Sequence, residues 1–142
     1  MKADFLDAHN RHWTDAELLF QAVRWANADH LYGIAAECGL KRLMEAFDID
    51  SHWVGGIPDL PKDKAHVMEA KKTSAWDRYE SYRSGHQQGV GYALPKNPFQ
   101  NWDISDRYAA QNHFNKAQVS AHRTGALLVH ELIKKADQEG VL

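Results

Sequence analysis

Apolar residues recur three and four apart through much of this chain, the spacing of helices with one buried side. The clearest stretch runs from Ala28 to Phe47. Tyr32, Ala36, Leu40, Leu43 and Phe47 form one stripe, and Gly33, Glu37, Leu40 and Met44 form a second beside it. Asp29 stands where an N-cap would accept from the amides of the first turn. Gly33, Ala35, Ala36 and Gly39 leave room for a close neighbour. A helical glycine costs about 1 kcal/mol against alanine, so two of them imply a packing reason. Glu37 and Lys41 have the favourable four-residue spacing for an ion pair.

The preceding helix is expected to open at Thr14, where Thr14-Asp15-Ala16-Glu17 reads as a capping box. Its apolar residues, from Leu18 to Ala26, cover much of the circumference and predict burial between neighbours. A link as short as Asn27–Asp29 predicts an antiparallel pair with the Ala28–Phe47 helix. The period stops between Asp48 and Pro61, where Gly55-Gly56 and Pro58-Asp59 are turn chemistry. A third helix is expected from Lys62 to Ser84, carrying Met68, Ala75, Trp76, Tyr79 and Tyr82 and stopped by Gly85. Gly85 to Asp103 reads as a long irregular loop, whose Tyr92, Leu94, Phe99 and Trp102 predict packing against the body. The last helix is expected from Asn115 to Gly140, with stripes Ala121-Gly125-Leu128-Leu132 and His122-Ala126-Val129-Ile133. No segment alternates with strand period. The expectation is an all-α, up-down bundle of four to five helices, one domain over residues 1–142.

Composition narrows the function classes. A formal charge of −2 over 142 residues argues against a chain-wide grip on nucleic acid and leaves room for a local basic patch. The single cysteine, Cys38, permits no internal disulfide and reads as a small buried hydrophobe. No apolar run approaches the roughly 20 residues of a membrane span, and the start lacks a signal-peptide core, so a cytoplasmic protein is expected. His9, His12, His52 and His66 lack zinc-site spacing, and neither a metal nor a cofactor is expected. Gly89-Val-Gly91-Tyr-Ala-Leu94 lacks the third glycine, the preceding strand and the following helix of a dinucleotide-binding turn.

Trp25-Ala-Asn-Ala-Asp29 followed by His30-Leu-Tyr-Gly-Ile-Ala-Ala-Glu-Cys-Gly-Leu-Lys41 resembles the second-helix signature of HEPN domains: small residues, a Glu, then Leu-Lys. Trp102-Asp-Ile-Ser-Asp-Arg-Tyr108 is similar to the segment before the last helix in many members. There, an Arg followed four to six residues later by His is the ribonuclease motif, and here five residues separate Arg107 from His113. The likeness extends from about Asp15 to Ala136.

The resemblance implies a homodimer whose paired Arg and His residues line a shared cleft. It implies RNA binding and metal-independent RNA cleavage of toxin or defence type, with an antitoxin or a nucleotidyltransferase as protein partner. Arg107 and His113 are then the catalytic pair, and Arg83, His86, Tyr108, Asn112 and Glu37 the RNA-binding residues. The residue types suit this: imidazole moves protons near neutral pH, and a guanidinium holds phosphate. Active members carry a small polar residue where this chain has Tyr108, which favours a non-catalytic helical dimer that binds a nucleotide or a protein. On a regular helix Arg107 and His113 would point roughly 120° apart, so their meeting needs irregular backbone or a dimer. Arg107 also has a structural reading, as the partner of Asp103, Asp106 or Glu37. His122, on an apolar stripe, reads as a hydrogen-bonded core histidine.

Overall fold

The helix Trp25–Ala46 (α2) is the axis on which the other elements pack. A computed structural model describes residues 1–142. It shows an all-α bundle of α1 (Phe5–Gln21), α2, α3 (Ala75–Ser84) and α4 (Lys116–Gln138), joined by short 3₁₀ turns. Both predicted stripes of α2 are enclosed: Tyr32, Ala36, Leu40, Leu43 and Met44 are fully buried and Phe47 nearly so. Trp13 and Glu17 of α1 meet Tyr32, and His9 meets Ala35, so α1 and α2 run antiparallel. On α4, His122 meets Asp29 and Val129 meets Gly39, so α4 runs parallel to α2 and opposite to α1, the directions an up-down bundle requires. No helix is long and apolar enough to cross a membrane.

Both expected helix starts at this end shift. α1 begins ten residues before Thr14, at the Asp4 cap, whose carboxylate accepts from the Asp7 amide at 3.0 Å. Glu17 is therefore mid-helix and serves Tyr32 and Arg123 instead of a cap. α1 is also less enclosed than its composition predicts: only His9 and Ala16 are buried, and Leu18 is exposed. α2 starts at Trp25, not at Asp29, because the Asp29 side chain turns inward to His122. The link between the pair is Ala22–Arg24, with Val23 in the left-handed region at φ 61°.

The third helix is shorter than expected. Pro61–Lys64 is a single 3₁₀ turn, and α3 proper starts after Ser74. Ser74 and Asp77 form a reciprocal capping box, a stronger start signal than anything upstream. The Gly55-Gly56 turn, at φ 59° and 78°, joins two two-residue strands, Trp53–Val54 (β1) and Ile57–Pro58 (β2). This hairpin is too short to show a strand period. The loop after Gly85 packs inward as expected, with Tyr92, Phe99 and Trp102 buried. Asn115 caps α4 through the Gln118 amide at 2.9 Å, as expected. The second stripe of α4 lines the core, whereas Leu127 and Leu128 stay partly exposed.

Candidate nucleic-acid interface

The segment from Asp103 to His113 is not a regular helix. It consists of two 3₁₀ turns, Ile104–Tyr108 and Gln111–His113. Asp103 opens the first: its carboxylate accepts the Ser105 amide at 2.7 Å, and Asp106 returns to the Asp103 amide at 3.1 Å. The Ser105 hydroxyl, which donates to the same carboxylate, and the Ser105 amide together hold the Asp103 carboxyl below its ordinary pKa. Trp102 anchors the segment. It is buried, it packs on Gly33, and its indole N–H donates to the Asp29 carbonyl at 3.1 Å.

On this anchored backbone Arg107, Tyr108, Asn112 and His113 are all exposed. The Arg107 guanidinium lies 4.7 Å from the centroid of the Tyr108 ring, and Tyr108 is 77% exposed. His113 Nε2 lies 3.9 Å from Asp106 Oδ1, and the imidazole meets Phe114 edge-on at 5.0 Å. A cation, a flat aromatic face and an imidazole with a neighbouring carboxylate thus share one short exposed stretch. His30, near the start of α2, stacks beside Trp102 at 6.1 Å. Its burial, reinforced by the charge of Arg107, holds its pKa below the ordinary value, so it is neutral near pH 7. The sequence reading did not single out His30, although its place in the turn preceding Gly33 put it beside any residue packed there.

The remaining predicted site residues lie elsewhere. Glu37 is buried, with Oε1 accepting from Lys41 Nζ at 2.7 Å and Oε2 facing His66 Nδ1 at 3.0 Å. Burial pushes its pKa up, but the His66 hydrogen bond and the Lys41 charge outweigh that and hold it down. The same bond raises His66. Arg83 is engaged by Glu80 at 2.5 Å and by the Gly89 carbonyl at 3.3 Å. His86 lies against Phe47, at the far end of α2 from His30. At 1.5 Å per residue those two ends are roughly 25 Å apart, so Arg83 and His86 do not share a surface with Arg107. The structural reading of Arg107 also changes: Glu37 is taken by Lys41 and His66, and Asp103 and Asp106 by their own capping box.

Other polar groups tie helices together inside the bundle. His122 is the core histidine expected, between Asp29 at 2.6 Å and Asn101 at 2.8 Å. Arg123 grips Glu17 with two bonds of 2.7 and 2.8 Å, and Tyr32 donates to the same carboxylate at 2.6 Å. Cys38 is buried, which pushes its thiol up to about 12, out of reach of thiolate chemistry near neutral pH. Comparison with known proteins finds no matching family model, no matching curated protein and no matching solved structure.

Proposed function

We propose that this chain is a HEPN-like RNA-binding domain, that it binds single-stranded RNA on the Asp103–His113 surface, and that it cleaves the strand there without a metal. The observation that carries the reading is Arg107 stacked on an exposed Tyr108, with His113 on the same segment. A guanidinium supplies charge to a phosphate, and an exposed aromatic ring supplies a face on which an unpaired base stacks. In the cleavage step the ribose 2′-hydroxyl gives its proton to an imidazole and attacks the adjacent phosphorus. The bond to the 5′-oxygen breaks, that oxygen takes a proton, and the products are a cyclic phosphate and a free 5′-hydroxyl. His113 moves a proton, and Arg107 stabilises the charge that builds on the phosphate oxygens.

The working unit in this proposal is a homodimer, with the partly exposed Leu127 and Leu128 of α4 as apolar surface for a second copy. Sedimentation at micromolar concentration checks the assembly, and a monomer there removes the shared-cleft arrangement. Binding is read by fluorescence anisotropy on labelled single-stranded RNA, and cleavage on a gel with chelator present. Arg107→Ala is expected to weaken binding and to slow cleavage by about 10²–10³. His113→Ala is expected to leave binding intact and slow cleavage by about 10²–10⁴. Binding without cleavage by the wild type leaves the non-catalytic reading that Tyr108 favours. No binding, or binding unchanged in Arg107→Ala, removes the assignment of this surface to RNA.

A further inference from the structure

Residues 61–73 lead from the small hairpin to α3 and carry Lys62, Lys64, Lys71 and Lys72 against Asp63 and Glu69. Asp63 adds nothing to the surface charge. It is fully buried and accepts from Arg78 Nε at 2.6 Å and from the Tyr82 hydroxyl at 2.5 Å. Glu69 is tied to the local backbone, accepting the His66 amide at 3.1 Å. Lys62, Lys64 and Lys72 line a cleft of about 500 Å³ together with Glu69 and Thr73. None of the three ammonium groups has a carboxylate within ion-pair distance, in a chain whose overall charge is −2. The positive excess is therefore local.

The backbone beneath these lysines is fixed. The Lys64 carbonyl accepts from Lys41 Nζ at 3.3 Å, the His66 carbonyl from the Ala75 amide at 2.8 Å, and the Val67 carbonyl from Asn97 at 2.9 Å. Three lysines against the single carboxylate of Glu69 give the lining of this cleft a net positive charge, which an anion bound there would neutralise. Lysine is a compact point charge that serves phosphate without demanding a planar fork. The Thr73 hydroxyl offers a neutral donor on the same wall. The volume falls within the usual range for small-ligand sites, about 300–1,000 Å³.

We propose that the cleft between Lys62, Lys64 and Lys72 binds a chain of phosphate groups, supplied either by an RNA backbone or by the oligophosphate of a nucleotide. The residues lining this cleft do not include any of those on the Arg107 surface, and the proposal does not rest on that reading. Inorganic tripolyphosphate, a nucleoside triphosphate and a single-stranded RNA serve as probes, followed by calorimetry and anisotropy. The test variant is Lys62→Gln/Lys64→Gln/Lys72→Gln. A control, Lys2→Gln/Lys96→Gln/Lys134→Gln, removes the same charge from elsewhere on the surface. The test variant is expected to lose at least tenfold in affinity for one of the probes while the control loses less than threefold, with both melting as cooperatively as wild type. If RNA is the ligand, the slope of log K against log salt also falls by about 2, at about 0.7 per phosphate contact on a single strand. If the free oligophosphate is the ligand, tripolyphosphate and the triphosphate respond and RNA does not. Arg107→Ala is expected to leave tripolyphosphate binding unchanged, so failure of the Arg107 reading is told apart from failure of this one. Absence of binding by all three probes at millimolar concentration, or equal losses in test and control variants, overturns the proposal.

Discussion

Gly33 shows how one missing side chain fixes a distant loop. A Cβ at this position would lie 2.1 Å from Cε2 of Trp102, well inside any real contact. Trp102 cannot easily withdraw, since it is nearly fully buried and its indole N–H is held by the Asp29 carbonyl. Through Trp102 the glycine positions the whole Asp103–His113 segment. Gly33→Ala gains about 1 kcal/mol in helix propensity and loses more through overpacking, for which 1–3 kcal/mol or more is typical. The expected result is a lower melting temperature and, on the proposed function, weaker RNA binding, because the anchored segment shifts. A melting temperature equal to or above that of wild type would show that Trp102 moves aside at little cost.

Of the helices, α2 was the most legible, because its neighbours cover it on several sides and its apolar period is uninterrupted. Leu40 belongs to both of its stripes and is fully buried. Leu40→Ala is expected to cost about 2–5 kcal/mol, read by denaturant unfolding. A loss under 1 kcal/mol would mean that the surrounding helices close the gap. The other helices are less legible for identifiable reasons. The start of α1 is set by Asp4, which precedes a mixed polar stretch with little apolar period, while Thr14-to-Glu17 imitates a cap in mid-helix. The start of α3 was masked because Met68, Trp76 and Tyr79 keep a helix-like spacing across a segment that is not helical. Asp29 has cap chemistry, yet its carboxylate is claimed by His122, which is 93 residues away. That long-range pairing leaves no local trace. The same holds for the site: Arg107 and His113 were visible as a spacing, but the aromatic stack beneath Arg107 and the lysine cleft depend on backbone turns that no period reveals.

Across the whole bundle, buried polar groups join helices at several levels, and one of them makes stability depend on pH. His9 of α1 is fully buried, with Nδ1 2.7 Å from the Ala35 carbonyl of α2 and Nε2 3.0 Å from Nδ1 of His130 on α4. The carbonyl can only accept, so His9 Nδ1 carries the proton and Nε2 takes the hydrogen from His130. Trp13 stacks on His130 at 4.7 Å and closes the site. Burial lowers the His9 pKa from 6.5 to about 4; the Ala35 carbonyl opposes this, and His130 and His12 add to it. In the unfolded chain His9 titrates near 6.5, so between pH 6.5 and 4 the unfolded state holds a proton that the folded state refuses. The stabilisation is complete above pH 6.5 and is lost as the pH falls toward 4, by roughly 3 kcal/mol in all at 1.36 kcal/mol per pKa unit. His12, His30 and His130 are also lowered and act in the same direction, whereas His66, raised by Glu37, contributes stability that is complete below pH 6.5 and is lost only as the pH rises above it. Urea unfolding at pH 7.5, 6, 5 and 4.5 is expected to show stability falling with acid from pH 6.5 downward. His9→Gln should start less stable at pH 7.5, because the bonds to Ala35 and His130 are disturbed, and should show a clearly shallower slope through the same window. Parallel slopes for wild type and His9→Gln would place the acid sensitivity in the other lowered histidines and in the lowered carboxylates Glu17 and Glu37, and leave His9 without a part in it.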